Sequence, residues 1–173
     1  AVLQFDGDGP YEFWDQDFLA TWILEHTHCK TVYYKPRHDS KNEPQTWGEA
    51  LTDSFVDTKE HNVSFYVDVQ KGQKTGFFLD QRDNRYYVSQ IAKDKSVLNL
   101  FSYSGGFSVY AGMGDALEVT SVDIAQGALD LAQKNWELNQ LEASKHKTLC
   151  EDVFKFVLEH DKKYDIVICD PPS

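Results

Sequence analysis

Long apolar runs are missing from this sequence, and no segment has the length of hydrocarbon-like residues that a membrane-spanning helix needs. Its first ten residues, AVLQFDGDGP, offer neither a basic flank nor an apolar stretch, so they do not read as a secretory signal. Cysteine is scarce: Cys29, Cys150 and Cys169 cannot all pair, and 173 residues suffice to build a core without disulfide staples. A reducing, cytoplasmic setting is expected. The six histidines (26, 28, 38, 61, 146, 160) lack metal-site spacing; His26-Thr-His28-Cys29 comes nearest, without a second ligand pair. They are read as surface residues, and no metal is expected. Internal repeats and low-complexity tracts are absent as well. What is present is an ordinary globular mixture, 41% apolar and 26% charged, which excludes disorder, collagen and coiled coil.

Cations are in the minority, with 17 Lys and Arg against 28 Asp and Glu and a net charge of −11. An acidic body argues mildly against a nucleic-acid partner. The charge is unevenly spread, however. Residues 1–70 carry 5 basic and 13 acidic side chains, residues 71–95 carry 6 and 3, and residues 96–173 carry 6 and 12. The one net-positive block could contact phosphates or could simply be a solvated helix face.

Two regions differ in texture. Residues 1–70 read as a small α+β region. Phe18, Leu19, Trp22 and Ile23 recur at helical spacing between Asp15 and His26, and Thr31-Val-Tyr-Tyr reads as a strand ended by Pro36. Arg37 to Trp47 is polar and reads as a loop; Val63, Phe65, Val67 and Val69 alternate along a second strand. From residue 71 to 173 helices and short apolar strands alternate. A helix is expected from Phe77 to about Lys93, with Leu79, Tyr86 or Tyr87, and Ile91 along one side. Phe77, Phe78, Tyr86 and Tyr87 are mostly assigned to the core. Strands follow at Ser96–Phe101, Ala116–Asp123, Lys147–Cys150 and Tyr164–Cys169, separated by helices at 105–114, 125–140 and 152–160. The helix expected at 125–140 carries Ala128, Leu129, Ala132 and Trp136 on one stripe. This order predicts a doubly wound, mainly parallel, Rossmann-like α/β sheet. Its fourth strand is followed directly by Asp170-Pro-Pro-Ser173, which would leave an open sheet edge, so the residues read as the front part of a longer polypeptide.

Ligands of such a sheet sit beyond the carboxyl ends of its strands. Those ends are Phe101-Ser-Tyr-Ser-Gly-Gly106, Asp123, Asp152 and Asp170-Pro-Pro-Ser173. The first turn has adjacent glycines, Gly105 and Gly106, and lacks both the dinucleotide G-x-G-x-x-G spacing and the lysine of a phosphate-binding loop. A nucleoside without phosphates, held through an amino-acid end, suits it better. Asp123, 18 residues beyond Gly105, could accept two ribose hydroxyls or cap the following helix. Asp152 could likewise cap a helix or accept from an adenine amino group. Two successive prolines after Asp170 cannot continue a central strand and impose a stiff, extended exit, which favours a functional role.

Val97-Leu-Asn-Leu-Phe-Ser-Tyr-Ser-Gly-Gly-Phe-Ser-Val-Tyr-Ala111, Val119-Thr-Ser-Val-Asp123 and Asp170-Pro-Pro-Ser173 together resemble the class I S-adenosylmethionine-dependent methyltransferases. Gly72-Gln-Lys-Thr-Gly-Phe-Phe-Leu-Asp-Gln-Arg-Asp-Asn-Arg85 is similar to a signature of bacterial enzymes that methylate carbon-5 of cytosine in large-subunit ribosomal RNA. The resemblance implies S-adenosyl-L-methionine as cofactor, S-adenosylhomocysteine as product and ribosomal RNA as partner. It implies that Phe101, Ser102, Tyr103 and Gly105 hold the methionine part, that Asp123 takes the ribose with Ile124 against the adenine, and that Asp152 and Val153 border the adenine. Lys74, Thr75, Phe78, Asp80 and Arg82 would complete the cofactor pocket, joined by Asp170. Asp170, Pro171, Pro172 and Ser173 would face the target base.

Carbon-5 attack requires a thiolate adduct at carbon-6. The family's nucleophilic cysteine is expected beyond Ser173; Cys29, Cys150 and Cys169 are read as small buried hydrophobes. Ser173 stands where enzymes acting on exocyclic amines usually have an aromatic, which disfavours such targets. A guanine ring nitrogen is the alternative target, and a non-catalytic cofactor- or RNA-binding module the alternative class. No membrane partner is expected, and a homodimer stays open. The RNA-binding module usual at the front of these enzymes is not recognisable in residues 1–60.

Overall fold

A computed structural model describes residues 1–37 and 40–171. The chain forms two compact units, Ala1–Val56 with Val67–Phe78, and Asp57–Tyr66 with Leu79–Ser173. This differs from a single cut after residue 70. No helix among the described residues is long and apolar enough to cross a membrane.

In the first unit, β1 (Val2–Leu3) runs parallel to β2 (Thr31–Tyr34), which pairs antiparallel with β3 (Gln45–Gly48). Helices α1 (Asp8–Phe13) and α2 (Gln16–His26) lie between the first two strands in sequence. Asp15 caps α2 by accepting a hydrogen bond from the Phe18 amide at 2.9 Å, which satisfies one of the amides that a helix start leaves free. The apolar recurrence in α2 therefore marks a helix, yet Phe18 and Trp22 are exposed and Ala20 is its buried residue. Residues 45–47, expected in a loop, instead pair with β2: Trp47 lies opposite Val32 and Thr46 opposite Tyr33. Trp47 Nε1 also donates to Asp17 Oδ1 at 2.7 Å.

A hairpin of β4 (Phe55–Glu60) and β5 (Val63–Asp68) follows. His61 and Asn62, with φ of 47° and 69°, make the two-residue left-handed turn that suits the twist of paired strands. Val63, Phe65 and Val67 are buried on one face of β5, as their alternation predicts.

The second unit holds a four-stranded parallel sheet in the order β8-β7-β6-β9, where β6 is Ser96–Leu100, β7 Glu118–Asp123, β8 His146–Cys150 and β9 Ile166–Cys169. Four helices accompany it: α3 (Arg82–Ile91), α4 (Gly106–Met113), α5 (Gln126–Leu138) and α6 (Val153–Glu159). The expected Rossmann-like α/β architecture is what forms. Val97 and Val119 pack with Val88, Ala92, Ala111 and Trp136 from the α3, α4 and α5 side. Leu98, Leu100 and Val122 pack with Val153 and Phe156 from α6. Period-two alternation thus sends neighbouring residues of each strand into two separate apolar layers. Trp136 is buried in the first layer with its Nε1 donating to the Glu142 carbonyl at 3.1 Å; truncating a residue of this size typically costs about 3–5 kcal/mol.

The helix expected from Phe77 starts later. Residues 79–81 form one 3-10 turn and α3 begins at Arg82, so Phe77 and Phe78 lie outside it. Its buried positions are Arg85 and Val88, whereas Leu79, Tyr86 and Tyr87 are exposed. Phe77 is buried, so the expectation of core aromatics holds there and fails for both tyrosines. Arg85 is buried because it makes a two-pronged ion pair with Glu60, Nε to Oε1 at 2.9 Å and Nη2 to Oε2 at 2.8 Å. Matched geometry offsets the cost of taking both charges out of water. Tyr110 donates to the Glu60 carbonyl at 2.9 Å, and burial pushes its phenol well above the usual range.

Not every histidine is at the surface. His146 is buried, stacks on Trp136 with centroids 4.5 Å apart, and ends a chain of polar contacts through the first layer. Asn99 Nδ2 donates to Ser108 Oγ (2.9 Å), which meets Ser121 Oγ (2.7 Å), which meets His146 Nε2 (2.8 Å); His146 Nδ1 lies 3.1 Å from Gln133 Oε1. Since Gln133 Oε1 only accepts, Nδ1 carries the proton and Nε2 accepts from Ser121. The neutral ring satisfies every partner, and burial pushes its pKa down to about 4. The folded protein therefore binds fewer protons than the unfolded chain between about pH 6.5 and 4, so stability falls as pH falls through that window. Between pH 7 and 5 the contribution lost is about 2 kcal/mol. Urea unfolding of the protein and of His146→Gln across this range should show a shallower pH slope in the variant; equal slopes would contradict the assignment.

Candidate functional site

Strand register brings the carboxyl ends of the sheet to one rim. Leu100 lies opposite both Val122 and Cys169, and Asp123 lies opposite Cys150. The next residues along β6 and β9, Phe101 and Asp170, therefore leave the sheet beside Asp123 and Cys150.

After β6 the backbone makes an unusual turn. Phe101, Tyr103 and Gly105 all have positive φ, at 55°, 47° and 76°. Left-handed backbone costs a non-glycine residue roughly 1 kcal/mol or more, so this turn needs external support. It receives several hydrogen bonds. Ser102 N–H donates to the Val122 carbonyl at 3.0 Å, and Gly105 N–H to the Ser102 carbonyl at 2.9 Å. Tyr103 N–H donates to Asp123 Oδ2 at 2.8 Å. Gly105 is required twice over: its φ is left-handed, and a Cβ there would sit 2.6 Å from Ala132 Cβ of α5.

Asp123 is the point where three connections meet. Its Oδ2 takes the Tyr103 amide, its Oδ1 takes the Ala125 amide at 2.9 Å, and its carbonyl takes the Glu151 amide at 3.0 Å. The helix-cap position of α5 belongs to Ala125, so Asp123 acts through the turn before the helix. A carboxylate has about four acceptor sites, and these two amides leave capacity on each oxygen for a ligand hydroxyl. Ile124, next in sequence, is 72% exposed. Ser102 Oγ is buried with no hydrogen-bond partner among the described residues, a second unmet polar capacity in the same turn.

Asp152 turns out to cap α6, accepting from the Lys155 amide at 2.9 Å. Val153 is buried against Leu98, Leu100 and Val122. Asp170 and Pro171 are exposed at the end of β9; Pro172 and Ser173 fall outside the described residues. Asp80 lies exposed in the 3-10 turn, and Arg82 starts α3 with its Nε 3.4 Å from Asp83 Oδ1. Lys74, Thr75 and Phe78 belong to the first unit, where Lys74 Nζ sits 4.9 Å above the Phe78 ring and Thr75 Oγ1 donates to the Phe77 carbonyl at 3.3 Å.

Two further expectations need correction. Cys150 and Cys169 are exposed, not buried, and Cys29 is half-buried. Cys169 shares a strand face with Val167, which is also exposed, and α6 packs elsewhere on that face. In the net-positive block, Arg85 is withdrawn into its ion pair, while Lys71, Lys74, Arg82, Lys93 and Lys95 are exposed. Sequence reasoning also missed that Asn135 Nδ2 donates to the Ser104 carbonyl at 3.0 Å. An asparagine on the apolar stripe of α5, between Ala132 and Trp136, was the available signal.

Chemically, the rim offers a carboxylate for a diol, a tight turn without cations for phosphates, and acids at 123, 151, 152 and 170 that favour a positively charged ligand. These residues fit a cationic nucleoside with an amino-acid tail. Fold and strand order together define a Rossmann-like α/β domain. A model of the S-adenosylmethionine-dependent methyltransferase family matches residues 18–173, and the chain belongs to that family. A protein of Aeromonas salmonicida named Ribosomal RNA large subunit methyltransferase I is 48% identical over 129 residues, covering 73% of this chain and 32% of that protein. The chain thus spans about a third of the length of the curated relatives it matches. Among solved structures, a Streptococcus mutans protein provisionally described as a SAM-dependent methyltransferase aligns with a TM-score of 0.85 at 32% identity, over 99% of this chain and 46% of that one. A methyltransferase, also provisionally assigned, in complex with S-adenosylhomocysteine aligns at 33% identity with a TM-score of 0.85, over 99% of this chain and 45% of its own.

Gly105→Ala should lower stability by about 2–4 kcal/mol, combining left-handed backbone strain with overpacking against Ala132. Thermal unfolding followed by circular dichroism checks this; an unchanged midpoint would show that the turn is not held as described.

Proposed function

We propose that this protein transfers a methyl group from S-adenosylmethionine to carbon-5 of a cytosine in large-subunit ribosomal RNA, in the cytoplasm. The observation that carries the reading is the Asp123 carboxylate held by the Tyr103 and Ala125 amides at the strand rim, in a chain whose relatives are named for ribosomal RNA methylation. The cofactor supplies an electrophilic methyl group on a sulfonium. The chain's own residues supply position: the 101–105 turn approaches the amino-acid tail, Asp123 accepts the ribose hydroxyls, and Ile124 covers the adenine. Asp152, its carboxylate engaged at the α6 cap, borders the adenine with Val153. Asp170 and the following prolines present the target base. Lys74, Thr75, Phe78, Asp80 and Arg82 are assigned to cofactor binding on the sequence resemblance. Orientation of this kind can account for much of a methyl-transfer rate, because the reaction is an in-line displacement.

Carbon-5 of cytosine is unactivated, so the reading includes a thiolate that adds to carbon-6 and leaves after the carbon-5 proton is lost. That thiolate is assigned to a residue beyond Ser173. The exposed cations of residues 71–95 not assigned to the cofactor, Lys71, Lys93 and Lys95, are suited to RNA phosphates on an otherwise acidic chain.

Calorimetry with S-adenosylhomocysteine should show one site per chain, abolished in Asp123→Ala and weakened in Asp80→Ala. Unmodified large-subunit ribosomal RNA treated with the full-length protein and labelled S-adenosylmethionine should yield 5-methylcytidine on nucleoside mass spectrometry. Undiminished binding in both variants would refute the pocket, and a methylguanosine product would refute the target.

A further inference from the structure

We propose that Asn135 is a positioning residue for the cofactor turn, an inference that rests on the reading of residues 101–105 as the cofactor site. Asn135 is fully buried in the last turn of α5, where an unpaired amide would be costly. Its Oδ1 accepts from the Tyr66 amide at 2.7 Å, and its Nδ2 reaches the Tyr66 carbonyl at 3.5 Å and the Ser104 carbonyl at 3.0 Å. One helical turn later, Asn139 repeats the first part of this pattern. Its Oδ1 accepts from the Ser64 amide at 2.9 Å and its Nδ2 donates to the Ser64 carbonyl at 2.8 Å.

The spacing explains the match. Residues i and i+4 of a helix lie about 6 Å apart along its axis, and residues i and i+2 of a strand about 6.6 Å. Two asparagine amides on α5 can therefore pair with Ser64 and Tyr66 as a neighbouring strand would, closing that edge of β5. Edge closure alone needs nothing from Ser104. Asn135 differs from Asn139 in spending a donor on the turn, between Tyr103, whose amide is on Asp123, and left-handed Gly105. The strained turn is thus gripped from two sides, at the Tyr103 amide by Asp123 and at the Ser104 carbonyl by Asn135. A turn held in its binding conformation before the ligand arrives loses less entropy on binding.

The two asparagines make a controlled comparison. Asn139→Ala should lower the thermal midpoint and leave S-adenosylhomocysteine affinity within about twofold, because its bonds go to Ser64 and to the Asn135 carbonyl and none reaches the turn. Asn135→Asp keeps an acceptor for the Tyr66 amide but, when ionised, has no proton for Ser104; its affinity should fall about tenfold or more. In the wild-type protein, the Asn135 side-chain amide resonances should shift on titration with S-adenosylhomocysteine while those of Asn139 stay in place, a readout that needs no variant. Equal affinity losses in the two variants, undiminished affinity in Asn135→Asp, or unmoved Asn135 resonances in a saturated wild-type sample would overturn the proposal. Absence of binding by the wild-type protein would instead overturn the cofactor reading on which it rests.

Discussion

One carboxylate organises the working end of this molecule. Asp123 takes the Tyr103 amide on one oxygen and the Ala125 amide on the other, and its carbonyl takes the Glu151 amide. Three strand exits are thereby locked to a single residue. Hydrogen bonds to an ionised acceptor are stronger than those between neutral groups, and here they hold a turn with three left-handed residues that would otherwise relax. Were Asp123 replaced, the loss would reach the shape of the turn as well as the group offered to a ligand.

The packing beneath explains why the rim can be rigid. Strands β6 and β7 are central and send alternate residues into two apolar layers, so their ends cannot slide without disturbing both. The Arg85–Glu60 ion pair adds a directional tie between α3 and the hairpin, and the Asn99–Ser108–Ser121–His146 chain adds another within the first layer. Both are satisfied polar contacts inside the fold, and such contacts favour one arrangement over near alternatives. Above this frame the rim carries acids and, among the described residues, neither a G-x-G-x-x-G turn nor a phosphate-loop lysine, which sets it apart from a dinucleotide site on the same architecture.

Much of this was legible in the sequence, for physical reasons that differ by element. The strands β6 and β7 are buried on both faces and so read as nearly continuous apolar runs. Gly105 and Gly106 betray a turn that needs positive φ and close approach. By contrast, β4 (Phe55–Glu60) has little exposed-to-buried alternation and turns at His61-Asn62 without glycine, so nothing in its pattern announces a strand. The start of α3 is hidden in the sequence because Phe77, Phe78 and Leu79 extend an apolar run that belongs to a different local structure. Arg85, and not Tyr86 or Tyr87, takes the buried position, and its partner Glu60 lies far off in sequence, so this long-range pairing leaves no local mark. His146 and Asn135 were hidden for the same reason: each is a polar residue whose partners come from other elements. The exposure of Cys150 and Cys169 is a tertiary property that carries no local mark in the sequence. For Asp123 the sequence alone leaves a cap and a ligand acceptor equally open, and its hold on the Tyr103 amide, 20 residues away, leaves no local mark.

The most direct test of the account is hydrogen–deuterium exchange of the protein with and without saturating S-adenosylhomocysteine. Slower exchange concentrated in residues 101–106 and 123–125 is the expected result. Unchanged exchange in both segments, with protection elsewhere or none at all, would contradict the assignment of the strand rim as the cofactor site.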